Sequence, residues 1–113
     1  MINIEIQKLN GKTIGFEIKG HSGYSEQGSD IVCSAVSSTS QMVCVGLENV
    51  LKLKPAIKID EKNAYLSCRL NVQEVSEKTQ LLFDSFEKTM ELLLCGDKTL
   101  KKYIKLEVKN EIY

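Results

Sequence analysis

The sequence predicts an α+β domain in which two long helices lie on a mixed β-sheet, with the element order ββαββαβ. Three observations lead to this fold class. Short segments with alternating apolar and polar residues occur in pairs joined by turn residues, two long segments have the apolar spacing of amphipathic helices, and a further apolar segment follows the second helix. The 113 residues suit one compact domain, which we expect to cover residues 1–113.

The first two predicted strands form a hairpin. Residues 2–6 alternate isoleucine with polar residues, so the isoleucines point to one face of an extended segment. Asn10-Gly11 is a dipeptide favoured in tight hairpin turns, and residues 13–18 are predicted to return as the second strand. Residues 19–29 are rich in glycine and serine and lack periodicity, which is typical of a functional loop.

The first long helix is predicted to begin after Asp30, as its N-cap, and to be ended by Pro55. Between these two residues, apolar side chains recur at helical spacing. Residues 56–60 and 64–70 are predicted strands, joined by the polar turn 61–63.

The second long helix is predicted to open near Ser76 and to end at Gly96. Its leucine, phenylalanine and methionine residues form a stripe that would face the core. Residues 98–108 are the last predicted strand. If both helices cover one face of the sheet, the other face or an edge is available to a partner subunit.

Charge and hydropathy exclude several functional classes. Fifteen basic residues balance fifteen acidic ones, so the net charge provides no attraction to nucleic acid or to an anionic membrane. The N-terminus alternates apolar and polar residues where a signal peptide would have a basic start and a continuous apolar stretch, and nothing elsewhere reaches membrane-spanning length. We therefore expect a cytoplasmic protein that binds neither nucleic acid nor a membrane directly.

The four cysteines are widely spaced and form no C-x-x-C pair, and the chain has one histidine. The sequence therefore predicts neither a zinc site nor a disulfide framework, and we expect no metal or cofactor. Cys44, Cys68 and Cys95 have no accompanying histidine or charge pattern, and we expect them to be small core residues.

Cys33 differs from the other cysteines because it lies three residues after the predicted N-cap. A helix N-terminus stabilises an anion by at most about 2 kcal/mol, so a second cation is needed to keep a thiol largely ionised at neutral pH. His21 could accept the thiol proton and remain beside the sulfur as an imidazolium. Gly20, Gly23 and Gly28 would let the loop fold back onto the helix start, where backbone N–H groups could stabilise an oxyanion.

The residues alone leave other interpretations open. A lone cysteine and a lone histidine define no reliable spacing, so the pattern by itself favours a structural thiol at Cys33. Asp30 either caps the helix or orients His21. Ser37, one turn after Cys33 on the same helix face, bonds near the site or to a backbone carbonyl. Tyr24 either stacks on a substrate or covers apolar side chains.

The segments GHSGY and GSDIVCSAVS, at residues 20–24 and 28–37, together resemble the signature of the ribosomal-processing cysteine protease family, often called Prp. The length and the element order are also similar. The resemblance implies a cytoplasmic bacterial endopeptidase that removes the short N-terminal extension of large-subunit ribosomal protein L-twenty-seven after paired aromatic residues. It also implies a homodimer.

By the same motif, His21 matches the catalytic histidine of the family and Cys33 its nucleophile. Gly20, Asp30 and Ser37 match positions that support the site, whereas Gly23, Tyr24 and Gly28 belong to the predicted substrate loop. Ser22 and Ser34 occur where the family often has alanine, which is an exchange between small residues.

Two other classes of function stay open from the sequence. A binding module that associates with the ribosome would explain a small fold with a long loop, and a redox-sensing protein would use the same activated thiol. Cleavage of a peptide distinguishes the protease from both.

Overall fold

The five strands of the protein form one mixed sheet in a computed structural model that describes residues 1–20, 27–96 and 98–111. The strands are β1 Ile2–Leu9, β2 Lys12–Lys19, β3 Ala56–Asp60, β4 Tyr65–Arg69 and β5 Ile104–Glu111. The two long helices are α1 Gln27–Val45 and α2 Glu77–Gly96. Apart from short helical turns, this is the predicted order ββαββαβ, and the α+β class is confirmed.

The strand order across the sheet is β3-β4-β2-β1-β5. All neighbouring strands are antiparallel except β1 and β5, which run parallel. Parallel strands need a long crossover connection, and the segment between β1 and β5 includes both helices. The predicted turn at Asn10-Gly11 is confirmed. Both residues have positive φ angles, 52° and 85°, as a type I′ hairpin turn requires.

Both helices pack on the same face of the sheet and share one core with the isoleucines of β1. The contact between β2 and α2 is aromatic. The ring of Phe16 stacks on Phe86 with 4.8 Å between centroids and meets the edge of Phe83 at 6.3 Å. All three phenylalanines are at most 1% exposed, and burying each contributes roughly 1.5 to 3 kcal/mol. This packing fixes α2 over the centre of the sheet.

The start of α1 differs from the prediction. The helix begins at Gln27, so Asp30 is not its N-cap and Gly28 belongs to the helix rather than to the loop. The sequence pattern did not show this because Gly28 and its serine neighbour are poor helix formers. Extending an existing helix adds one backbone hydrogen bond per residue, which offsets the cost of about 1 kcal/mol for a glycine.

The end of the first helix also differs. A wider π-helical turn, Gly46–Val50, continues α1, and Lys52 then adopts a left-handed φ of 59°. The backbone N–H of Leu53 donates back to the carbonyl of Leu47 at 2.9 Å. This reversal ends the helix before Pro55, so the proline is not the residue that stops it.

The last strand is shorter at its beginning than predicted and longer at its end. Lys98–Lys102 forms a 3₁₀ turn, and the strand starts at Ile104. The parallel register with β1 decides this start, because Ile104 pairs with Ile2 at the first position of that strand. None of the helices in the described ranges is long and apolar enough to cross a membrane.

Three cysteines outside the cleft described below differ in accessibility. Cys44 and Cys68 are buried as predicted, and their thiols hydrogen-bond between α1 and β4. This hydrogen bond and burial hold the pKa of the Cys68 thiol far above its usual range. The core prediction for Cys95 is wrong, since it is exposed. It lies roughly 140° around α2 from the buried Met90.

We expect iodoacetamide at pH 7.5 to alkylate Cys95 in the native protein while Cys44 and Cys68 stay unmodified, because only a thiolate that solvent can reach reacts quickly. Peptide mapping by mass spectrometry measures this, and labelling in urea is the control that shows all sites to be reactive once unfolded. Native labelling of Cys68 at the rate of Cys95 would contradict the packing of α1 on β4.

Candidate active site

A cleft of about 450 Å³ lies between the first half of α1 and one end of the sheet. The helix contributes to it a row of side chains, namely Cys33, Val36, Ser37, Ser40 and Gln41. Opposite this row lie Ile2, the end of β2 at Ile18 and Gly20, and the β3–β4 hairpin. The floor is mainly aliphatic, which suits the side chains of an extended peptide.

Cys33 is partly exposed in the wall of this cleft. It is the seventh residue of α1, whereas the sequence placed it at the third position of the helix. Because the effect of the helix dipole falls off within the first turn, α1 stabilises a thiolate here less than expected. A nucleophilic Cys33 therefore depends more strongly on a neighbouring cation.

Ser37 and Gln41 follow Cys33 at successive intervals of four residues and line the same cleft. This confirms the prediction that Cys33 and Ser37 share a helix face. The Ser37 hydroxyl accepts a hydrogen bond from Nε2 of Gln41 at 3.0 Å, and its carbonyl accepts one from the buried Ser40 hydroxyl at 2.9 Å. These two hydrogen bonds fix the polar side chains on this edge of α1. Gln41 also lines the cleft. The sequence had not marked Gln41 as a site residue.

Gly20 is the last described residue before His21, and its backbone is held from two sides. Its N–H donates to the carbonyl of Ala64 at 2.9 Å, and its φ is +96°. A Cβ atom at this position would lie 2.5 Å from the carbonyl oxygen of Met1. Only glycine fits this conformation and this space, so Gly20 sets the direction in which the chain leaves β2.

The far rim of the cleft is formed by the end of β3, at Ile59 and Asp60, and by Glu61 in the β3–β4 turn. Sequence reasoning predicted this turn but did not assign it to the site. Pairing between β4 and β2 brings it to the same end of the sheet as Gly20, over a separation of about forty residues. A sequence pattern that spans only neighbouring residues does not predict such a long-range contact.

Three of the other predicted site residues, His21, Gly23 and Tyr24, lie outside the described residues. Asp30 lies in the first turns of α1, where its role in orienting His21 stays a prediction. Among the residues that the structure describes, no group of three or more His, Cys, Asp or Glu side chains could hold a metal ion.

A partly exposed thiol in the wall of an aliphatic cleft, on a small α+β domain, is the arrangement that a thiol-dependent enzyme needs to attack a bound chain at a carbonyl carbon. The comparison with protein families agrees with this class. The chain belongs to the family described as cysteine protease Prp, whose sequence model matches residues 1–105. It is therefore a cysteine protease.

Solved structures share the fold over almost the whole chain. A protein from Streptococcus mutans is 27% identical, with a TM-score of 0.83 over 98% of this chain and 96% of the other. Staphylococcus aureus Prp, described as an essential ribosomal processing protease, was solved with a substrate peptide at 20% identity and a TM-score of 0.82. Its complex with a covalently linked product peptide is 21% identical with a TM-score of 0.81. Both cover 96% of this chain and 100% of the other. No curated protein sequence matches the chain significantly.

Proposed function

We propose that this protease removes the N-terminal extension of large-subunit ribosomal protein L-twenty-seven, with Cys33 as nucleophile and His21 as general acid and base. The observation that carries the proposal is the position of Cys33, the cysteine of the family motif, in the wall of a cleft with an aliphatic floor. That floor suits the paired aromatic residues that the family resemblance places before the cut. The peptide-bound structures of the Staphylococcus aureus protein support a peptide as the substrate.

The reaction begins when the Cys33 thiolate attacks the scissile carbonyl and forms a tetrahedral intermediate. His21 then protonates the leaving amine as the C–N bond breaks, which leaves an acyl-enzyme with the new N-terminus released. His21 next takes a proton from water, whose oxygen displaces the sulfur. Because α1 begins at Gln27, the amide of Cys33 lies within the helical hydrogen-bond ladder. The oxyanion therefore needs other donors, which are free backbone N–H groups before Cys33 or polar side chains of the cleft.

The proposal is tested with a peptide that copies the extended N-terminus of the ribosomal protein. We expect one cut, after the aromatic pair, and we expect His21→Ala to lower kcat/KM by about 10²- to 10⁴-fold, the usual contribution of general acid–base catalysis. Separation of the products by liquid chromatography and mass spectrometry gives the rate and the cut site. Cys95→Ala, which changes an exposed thiol outside the cleft, is the matched control.

The outcomes separate the three classes of function. Binding of the peptide without cleavage would favour a binding module, and oxidation of Cys33 to a sulfenic acid without cleavage would favour a redox sensor. Full activity of His21→Ala would remove His21 from the mechanism.

We also propose that the protein is a cytoplasmic homodimer. Light scattering should then give twice the chain mass of 12.7 kDa.

A further inference from the structure

We propose that the β3–β4 rim of the cleft, formed by Asp60 and Glu61, selects peptides that carry a lysine or arginine close to the apolar residues at the cut site. The inference rests on the proposed function, because it names a property of the substrate of that same cleft. It assigns to these two residues a role in specificity and none in the chemical step.

Among the described residues that line the cleft, both charged side chains are acidic. Asp60 and Glu61 line it, and none of its described lining residues is a lysine or an arginine. The cations nearest to Asp60 in sequence are Lys58 and Lys62, which are exposed but do not line the cleft. Lys19, two strands from β3, is paired with Glu17 at 2.9 Å. A cationic side chain in the cleft would therefore meet two carboxylates, offset in part by Lys58 and Lys62.

The rim is held in place by its own hydrogen bonds. Oδ1 of Asp60 accepts from the backbone N–H of Asn63 at 3.2 Å, and Oδ2 accepts from the Asn63 side-chain amide at 2.7 Å. These bonds to the side chain and backbone of Asn63 hold the pKa of the Asp60 carboxyl below its usual range. The turn is also tied to the residue that follows β2, since the carbonyl of Ala64 accepts the hydrogen bond of the Gly20 N–H. The negative charge of Asp60 thus has a defined position at the end of β3.

An exposed apolar side chain lies on the same rim. Ile59 is 63% exposed and lines the cleft. It lies on the face of β3 that the helices cover, whereas Asp60, the last residue of the strand, lies on the opposite face. Lysine and arginine have long aliphatic stems that lie on apolar surfaces while the charged end reaches a polar group. A basic side chain that crosses this rim would lay its stem on Ile59 and bring its charged end to the carboxylates, which a neutral or acidic side chain would not do.

The test uses peptides in which a single lysine replaces glutamine at each of the four positions on either side of the cut, in an otherwise uncharged sequence with a central aromatic pair. For the wild-type protein at low salt we expect lysine to raise kcat/KM by about three- to five-fold at one or two neighbouring positions, as for a solvent-exposed ion pair. The preference should fall below about two-fold in 0.5 M salt.

Glu61→Gln should lower this preference, because Asp60 is then the only carboxylate left on the rim, and Glu61→Lys should reverse it in favour of a glutamate peptide. Glu48→Gln, which neutralises an exposed carboxylate outside the cleft, is the matched control and should keep the preference. Both Glu61 variants change an exposed turn side chain, so we expect them to fold.

Binding is measured in parallel with Cys33→Ala and fluorescent forms of the same peptides. A lysine preference in Kd supports the inference even if no peptide is cut, in which case only the proposed function fails. Cleavage of every peptide at equal rates by the wild-type protein overturns the inference and leaves the proposed function standing. A preference that survives in Glu61→Lys also overturns it.

Discussion

Replacement of Cys33 by alanine is expected to abolish peptide cleavage, with kcat/KM falling by at least about 10⁴-fold, because no other group in the described part of the cleft can form the acyl-enzyme. Ser37 lies on the same face of α1, but its hydroxyl accepts a hydrogen bond from Gln41. Cys33→Ser should be nearly as inactive, since a hydroxyl is far less ionised than a thiol at neutral pH.

The fold should survive this change. Cys33 is partly exposed in the wall of the cleft and packs only against the edge of the core, so its replacement removes one partly exposed sulfur atom. Unfolding in urea, followed by circular dichroism, should give a free energy within about 1 kcal/mol of the wild type. Cys95→Ala should retain full activity. Cleavage by purified Cys33→Ala above the rate of a blank would disprove the nucleophile assignment.

Gly20→Ala is expected to impair both stability and activity. The change places a side chain at a φ of +96° and brings a Cβ atom to 2.5 Å from the carbonyl oxygen of Met1. Together these effects should cost about 2 to 5 kcal/mol of folding free energy. Relief of the collision would shift the backbone that leads to His21, and a displacement of about 1 Å in a catalytic group can lower a rate by about 10²-fold.

Gly11→Ala provides the matched control for this prediction. Gly11 also has a positive φ, +85°, but a Cβ atom there would have no neighbour within 4 Å. We expect a loss of about 1 to 2 kcal/mol and unchanged activity, because the β1–β2 turn is not part of the cleft. Urea unfolding and peptide cleavage are measured on both variants. The comparison distinguishes the strain of a positive φ, which both variants have, from the steric collision with Met1, which only Gly20→Ala has. Equal effects of the two substitutions would contradict the role of Gly20.

The local elements of this protein could be predicted from its sequence. The alternation of isoleucines in β1, the Asn10-Gly11 turn and the stripe of α2 each depend on neighbours within a few residues, and the structure confirms all three. The boundaries that were wrong, at Gln27, before Lys52 and at Ile104, depend on backbone hydrogen bonds that side-chain periodicity does not report. Sequence motifs also identified the family, because GHSGY and the segment around Cys33 are short and specific.

The cleft exists only in the tertiary structure. Pairing of β4 with β2 brings Asp60 and Glu61 to the end of the sheet where Gly20 directs the chain toward His21, and α1 places Cys33 opposite. These contacts join residues far apart in the chain, and their geometry depends on strand register and on how the helices pack over the sheet. The sequence by itself therefore determined which residues are candidates for the chemistry. The fold determined which other side chains lie opposite them in the cleft, because a local sequence pattern contains no distance between segments that meet only after folding.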